Sequence, residues 1–126
     1  MNIVSPAEAE CDPLARYRWT ARVLVVLAAD PESPDLAEQR RHIESLKDGA
    51  AERDLVVVQP PAGTAEATAL RTRLGLGSEP FQVVLVGKDG GAKLRTVKPI
   101  TALELMATID AMPMRQDEMR RRACSP

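Results

Sequence analysis

Three short runs of this chain are almost purely apolar, and the segments between them are polar, helical in period or rich in turn formers. The first run, Val23-Leu24-Val25-Val26-Leu27, has the unbroken β-branched and leucine pattern of a strand buried on both faces. Asp30 to Pro34 breaks it, with Ser33 suited to cap a helix and Pro34 to occupy its first turn. The helix that follows places Leu36, Ile43, Leu46 and Ala50 on one stripe and leaves Glu38, Arg40, Arg41, Glu44 and Lys47 mostly outside it. Leu55 to Val58 reads as a second buried strand, ended by Pro60-Pro61. Thr64 then caps a second helix carrying Ala67, Leu70 and Leu74. Gly75 can close it in the left-handed conformation, with Leu76 as the apolar contact just beyond.

Phe81 to Gly87 is the third apolar strand, and Asp89-Gly90-Gly91 signals a tight, two-residue-type hairpin because these residues tolerate positive φ. The returning strand, Ala92 to Val97, alternates small or apolar residues with Lys93 and Arg95, so one of its faces is wet. Thr101 and Glu104 fit a capping box and Ile100 and Leu105 the hydrophobic staple around it. Ala102, Leu105, Ile109 and Met112 share a face of that last helix, which Pro113 stops. Three regions result: an arm over residues 1–20 with Tyr17 and Trp19 available to dock it, a domain over 21–113, and a basic tail over 114–126, at most a short helical extension.

Summed in order, these elements predict an α/β fold. It is thioredoxin-like, with three α/β/α layers around a four-stranded mixed sheet of order 2-1-3-4 whose last two strands form a hairpin. The first and third helices should share one face and the second should cover the other. A truncated flavodoxin-like fold is the alternative, and it fits less well because a tight turn forces antiparallel pairing.

Composition narrows the function classes. At 126 residues the chain is one domain large enough to bury a core without metal or disulfide, and with 2% aromatic residues (Tyr17, Trp19, Phe81) that core must be aliphatic. The rings needed for base stacking are missing, and 17 basic residues against 18 acidic give a net charge of −1, so neither nucleic acid nor a membrane surface is an expected partner. The run from Val23 to Ala29 is far too short to span a bilayer. Glu8, Glu10 and Asp12 stand where an export signal needs basic and apolar residues, so a cytoplasmic location is expected. A periplasmic or secreted location is the alternative if a signal precedes this segment.

The candidate chemistry is thin. In a thioredoxin-like fold the redox Cys-x-x-Cys belongs after the first strand, and here that loop reads Asp30-Pro31-Glu32-Ser33-Pro34. A thiolate is the nucleophile of disulfide exchange, so this loop lacks the group the activity requires. The two cysteines, Cys11 and Cys124, lie in the terminal extensions at no zinc or redox spacing, either free or paired. Asp30, Glu32 and Asp35 either recruit a cation or, the favoured reading, complement the dipole of the following helix. Gly87 to Gly91 is not a phosphate loop, because it leads into a strand and no Ser or Thr follows Lys88. Lys88, Lys93, Arg95 and Lys98 either meet an acidic partner or protect an edge strand, opposed locally only by Asp89. His42, the only histidine, lies on a charged helix and reads as exposed rather than catalytic. Met106, Met112, Met114 and Met119, with Arg115 and Arg120 to Arg122, make either an adaptable contact surface or gap fillers beside a solvated tail.

One resemblance is specific. Phe81-x-Val83-Val84-Leu85-Val86-Gly87-Lys88-Asp89-Gly90-Gly91-x-Lys93, followed by Ile109-Asp110-x-Met112-Pro113-Met114-Arg115, resembles the bacterial domain of unknown function 4174. That family is related to domains of sushi-repeat-containing matrix proteins. The resemblance runs over roughly residues 14–119 and includes the segments Asp12-Pro13-Leu14 and Arg18-Trp19. It implies a thioredoxin- or peroxiredoxin-like fold, no assigned catalytic residue, and relatives that are often exported. The expectation is a redox-inactive binding or protein-interaction module of unspecified oligomeric state, with no cofactor. Its candidate contact residues are Asp30, Glu32, Asp35, Lys88, Lys93, Arg95, Met112, Met114 and Arg115. The alternative is a cryptic thiol oxidoreductase or peroxiredoxin-like protein using Cys11 or Cys124.

Overall fold

The computed structural model describes residues 12–123. A 3-10 turn, Ala15–Tyr17, leads into β1 (Arg22–Ala28), and α1 (Pro34–Glu52), β2 (Leu55–Val58) and α2 (Ala65–Leu74) follow. The chain then forms β3 (Phe81–Val86), β4 (Ala92–Thr96), α3 (Ala102–Asp110) and α4 (Pro113–Ala123). The sheet order is β2-β1-β3-β4, with β1 parallel to β2 and antiparallel to β3, and β3 antiparallel to β4. This is the order the apolar pattern predicts.

Strands β1 and β3 are buried along their whole length because both faces of the sheet are covered. Leu24, Val26, Val83 and Leu85 face Leu36 and Leu46 of α1 and Leu105 and Ile109 of α3. Val23, Val25, Leu27, Val84 and Val86 face Ala67, Leu70 and Leu74 of α2. The helices divide between the faces as expected, and a one-residue slip of β1 would exchange its two apolar sets.

Local signals fix the element ends. Leu36 N–H donates to Ser33 Oγ at 3.3 Å, Ala67 N–H to Thr64 Oγ1 at 3.2 Å, and Glu104 N–H to Thr101 Oγ1 at 3.1 Å. Each such cap contributes about 1 kcal/mol. Gly75 closes α2 at φ 64°, and Leu76 N–H reaches back to Arg71 O at 2.9 Å. The Gln39 amide, missed in the apolar reading of α1, is buried and locks the entry to α3: Nε2 donates to Ile100 O at 3.0 Å and Oε1 accepts from Ile100 N at 2.8 Å.

Four details depart from expectation. The β3–β4 turn spans residues 87–91 rather than two residues, because a bulge between Leu85 and Val86 shifts the register. Trp19 does not dock the arm: it is 63% exposed at φ 68°, and Leu14 and Tyr17 pack on the α2 face instead. Pro113 ends one helix by starting another, since its missing N–H is harmless in a first turn. The segment read as a tail is therefore α4 over Pro113–Ala123, and Arg115 within it is 1% exposed rather than solvated.

Candidate functional site

The two ends of β1 differ in chemistry. At its carboxyl end, Asp30 Oδ1 accepts from Glu32 N–H at 2.9 Å and Asp30 O from Ser33 N–H at 3.0 Å, so the loop is a compact turn feeding α1. Asp30, Glu32 and Asp35 are all exposed, and Asp35 lies in the first turn of α1, where a negative charge complements the helix dipole. Among the described residues no group of three acidic, histidine or cysteine side chains is placed to hold a metal ion. A cavity of about 250 Å³ lies here, walled by Ala28, Pro31, Leu36, Arg40, Gln59 and Pro60. On its polar wall Arg40 Nε donates to Gln59 Oε1 at 3.2 Å.

The amino end of β1, about 20 Å away along a seven-residue strand, carries a buried ionic network. Arg22, the first residue of β1, is 1% exposed and makes a fork-to-fork pair with Glu118 of α4, both bonds at 3.2 Å. Its Nη1 also donates to Arg53 O at 2.8 Å. Lys88, just past β3, reaches Glu118 Oε2 at 2.7 Å and Asp54 Oδ2 at 2.9 Å. Arg53 clasps Asp110 through Nε at 2.9 Å and Nη2 at 2.8 Å, and Arg115 Nε joins the same carboxylate at 3.0 Å. Arg115 also contacts Glu52 Oε1 at 3.5 Å and donates to Glu52 O at 3.3 Å. Arg122 Nη1 reaches that same carbonyl at 2.9 Å. The carboxyl end of α1 thus meets the positive charges its dipole favours. Arg22, Arg53, Lys88 and Arg115 are matched by Glu52, Asp54, Asp110 and Glu118.

Electrostatics follow from this packing. Burial alone would raise the Glu118 carboxyl, yet its bonds to Arg22 and Lys88 outweigh that and hold it below the ordinary glutamate value. The Arg53 guanidinium, against the opposing effect of burial and with help from Arg115, holds Asp110 below its ordinary value. Asp54 adopts φ 51°, a left-handed conformation that aspartate tolerates better than most residues, at the turn from α1 into β2.

Beside this network lies a cavity of about 310 Å³ lined by Arg22, Gly87, Lys88, Asp89, Lys93, Met112, Pro113 and Met114. Arg22 Nε is fully buried and has no hydrogen-bond partner among the described residues. Lys93 Nζ is 2.8 Å from Asp89 Oδ2, and that ammonium, with the Gly91 N–H, keeps Asp89 below its ordinary value.

The structure therefore sorts the residues singled out in the sequence. Lys88, Lys93, Met112 and Met114 converge on one cavity, and Arg115 joins the ionic network beside it. Asp30, Glu32 and Asp35 sit at the opposite end, and Arg95 lines a separate groove with Leu76, Glu79 and Thr96. His42 is half-buried on α1, 3.4 Å from Glu38 Oε2. Lys88 is corrected from an edge-protecting surface charge to a side chain 9% exposed, paired with Asp54 and Glu118 rather than left to Asp89. Cys11 and Cys124 lie outside the described residues. Arg22, Arg53, Asp54, Asp110 and Glu118 went unrecognised in the sequence. The available signals were a lone arginine abutting an apolar run, and the Arg115–Glu118 spacing of three on a helix.

Comparison with known proteins agrees with this architecture. A family model described as a domain of unknown function (DUF4174) matches residues 13–118. No curated protein sequence matches. Among solved structures, one described as a malarial protein superposes with a TM-score of 0.56 at 11% identity, covering 71% of this chain and 94% of its own. A reduced 2-Cys peroxiredoxin of Plasmodium vivax superposes with a TM-score of 0.59 at 10% identity, covering 82% of this chain and 72% of its own. Likenesses at this identity speak for the fold alone: the sheet and helices have the thioredoxin-like arrangement. No helix among the described residues is long and apolar enough to cross a membrane.

Proposed function

Because the chain belongs to the family of the domain of unknown function DUF4174 and its fold-typical redox loop holds no cysteine, we propose that it is a binding module that works without a thiol. Its site is the cavity at the amino end of β1. A single observation carries this reading: Arg22, Lys88, Lys93, Met112 and Met114, drawn from four separate segments, surround one cavity. The volume falls at the lower bound of small-molecule sites, and thioether walls adapt to varied shapes.

The test is an amide-shift screen of the ¹⁵N-labelled protein against a library of small organic fragments. Hits are expected to move the amides of Gly87, Lys88, Met112 and Met114 together. Hits confined to Pro31's neighbours and Gln59 at the opposite cavity, or no hits at all, would overturn the assignment.

A further inference from the structure

We infer that the open edge of β4 takes an acidic extended peptide as a fifth strand, with a carboxylate set against Arg95 and an apolar side chain against Val97. This surface stands apart from the amino-end cavity, so the two readings succeed or fail separately. Among the described residues β4 ends the sheet, with β3 on one side and no strand on the other. Such an edge keeps half of its backbone N–H and C=O groups free for a further strand. Side chains cover it poorly: Ala92, Lys93 and Arg95 are exposed, and Val97, just past the strand, is 53% exposed. A groove of about 530 Å³, bounded by β4 and the closing turn of α2, has Leu76, Val84 and Val97 on its apolar wall and Arg95 beside them.

The pleat fixes what the peptide must carry. Arg95 stands across the ladder from Val84, which faces α2, whereas Leu94 packs against the opposite core. Side chains alternate along a strand, so Arg95 and Val97 share the α2 face, and both line the groove. A fifth strand meets that face at the same spacing, with a carboxylate and an apolar residue two positions apart. Charge selects the acid. Glu79, the groove's one carboxylate, is bonded to Gln82 Nε2. Arg71 donates to neutral acceptors, Gly77 O at 3.0 Å and Gln82 Oε1 at 2.9 Å. The Arg95 and Lys98 side chains make no ion pair or hydrogen bond among the described residues. Arg71, Arg95 and Lys98 therefore outnumber Glu79. The same surplus disfavours a second copy as the occupant, because β4 laid on β4 would bring two Arg95 guanidiniums together, and like charges across a ladder destabilise it.

The experiment is an amide-shift and hydrogen-exchange titration of the full chain with a capped seven-residue peptide in which threonine alternates with valine, glutamate and valine. A peptide with lysine in place of the glutamate is the control. The glutamate peptide should shift the amides of Arg95, Thr96 and Val97 saturably and slow exchange at the β4 amides that point away from β3. The lysine peptide should bind about fivefold more weakly. Arg95→Glu changes an exposed side chain, so it should keep the melting temperature and reverse the preference between the two peptides. Val97→Ser should weaken the glutamate peptide about two- to fivefold. Equal binding of the two peptides, an unreversed preference in Arg95→Glu, or shifts without slowed exchange would overturn the inference. So would a β4 edge already protected in the free chain, whether by a second copy, read as a concentration-dependent mass, or by another segment of the same chain. Shifts confined to Gly87, Met112 and Met114 would remove the β4 site and leave the amino-end cavity standing.

Discussion

Arg22 and Glu118 define the chemistry of the described ionic network at the smallest scale. A guanidinium with 1% of its surface exposed has given up its hydration, and the fork to Glu118 at 3.2 Å on both arms replaces part of it. Replacing such a pair by apolar groups is often neutral, whereas removing one partner strands the other. Glu118→Gln leaves Arg22 and half of the Lys88 pairing uncompensated and should cost about 3 kcal/mol in urea unfolding at neutral pH. The pH dependence has a definite sign. The Glu118 and Asp110 carboxyls are held below their ordinary values, so their stabilisation is complete above the unfolded carboxylate range and is lost as pH falls through the depressed folded values. The stability gap between wild type and Glu118→Gln should be flat from pH 7 to about 5 and shrink below about pH 4. A gap that widens on acidification would mean that Glu118 is not ionised in its pairing with Arg22.

At the scale of elements, α4 is the segment whose role changes most. It has no apolar stripe to speak of; what docks it is charge, through Arg115 to Asp110 and Glu52 and through Glu118 to Arg22 and Lys88. Deleting residues 114–126 should therefore lower the urea midpoint by the equivalent of at least about 3 kcal/mol, since Arg22 and Lys88 both lose Glu118. An unchanged midpoint would show α4 to be a passive appendage. The same element marks the limit of sequence reading. Ser33, Thr64, Gly75 and Thr101 announce their helix ends because a cap acts over three or four residues. The strand order follows from the order of the elements and the thioredoxin-type layout they match. The partners of α4 come from positions 22, 52, 88 and 110, and nothing in a polar, arginine-rich stretch reveals which distant carboxylates it meets. Read alone, Lys88 and Arg115 look like solvated charges; only the fold shows that Arg115 is buried and that the Lys88 side chain is largely covered.

Across the whole molecule, the thioredoxin-like frame supports two distinct poles. The carboxyl end of β1, where the fold's redox loop lies, presents a compact capping turn with no cysteine, and an Arg40–Gln59 bond on the wall of its cavity. The amino end combines the ionic network, the start of α4 and a cavity lined by Lys88, Lys93, Met112 and Met114. Insulin-disulfide reduction by the full chain should not exceed the buffer rate, and the Cys11→Ser, Cys124→Ser double variant should behave identically. Turnover lost in the double variant would restore the thiol alternative.

The claim that the amino end is the working pole meets its most direct test in one affinity comparison. The strongest fragment from the amide-shift screen is titrated into wild type, Gly87→Ala and Ala62→Trp. A methyl at Gly87 would stand 2.6 Å from Lys93 Cε, so that flexible side chain must move and reshape the amino-end cavity. Ala62 is exposed beside the opposite cavity, where a tryptophan obstructs the mouth. Gly87→Ala should weaken binding at least about fivefold and Ala62→Trp should leave it unchanged. The reverse pattern would place function back at the loop where the redox cysteines are missing.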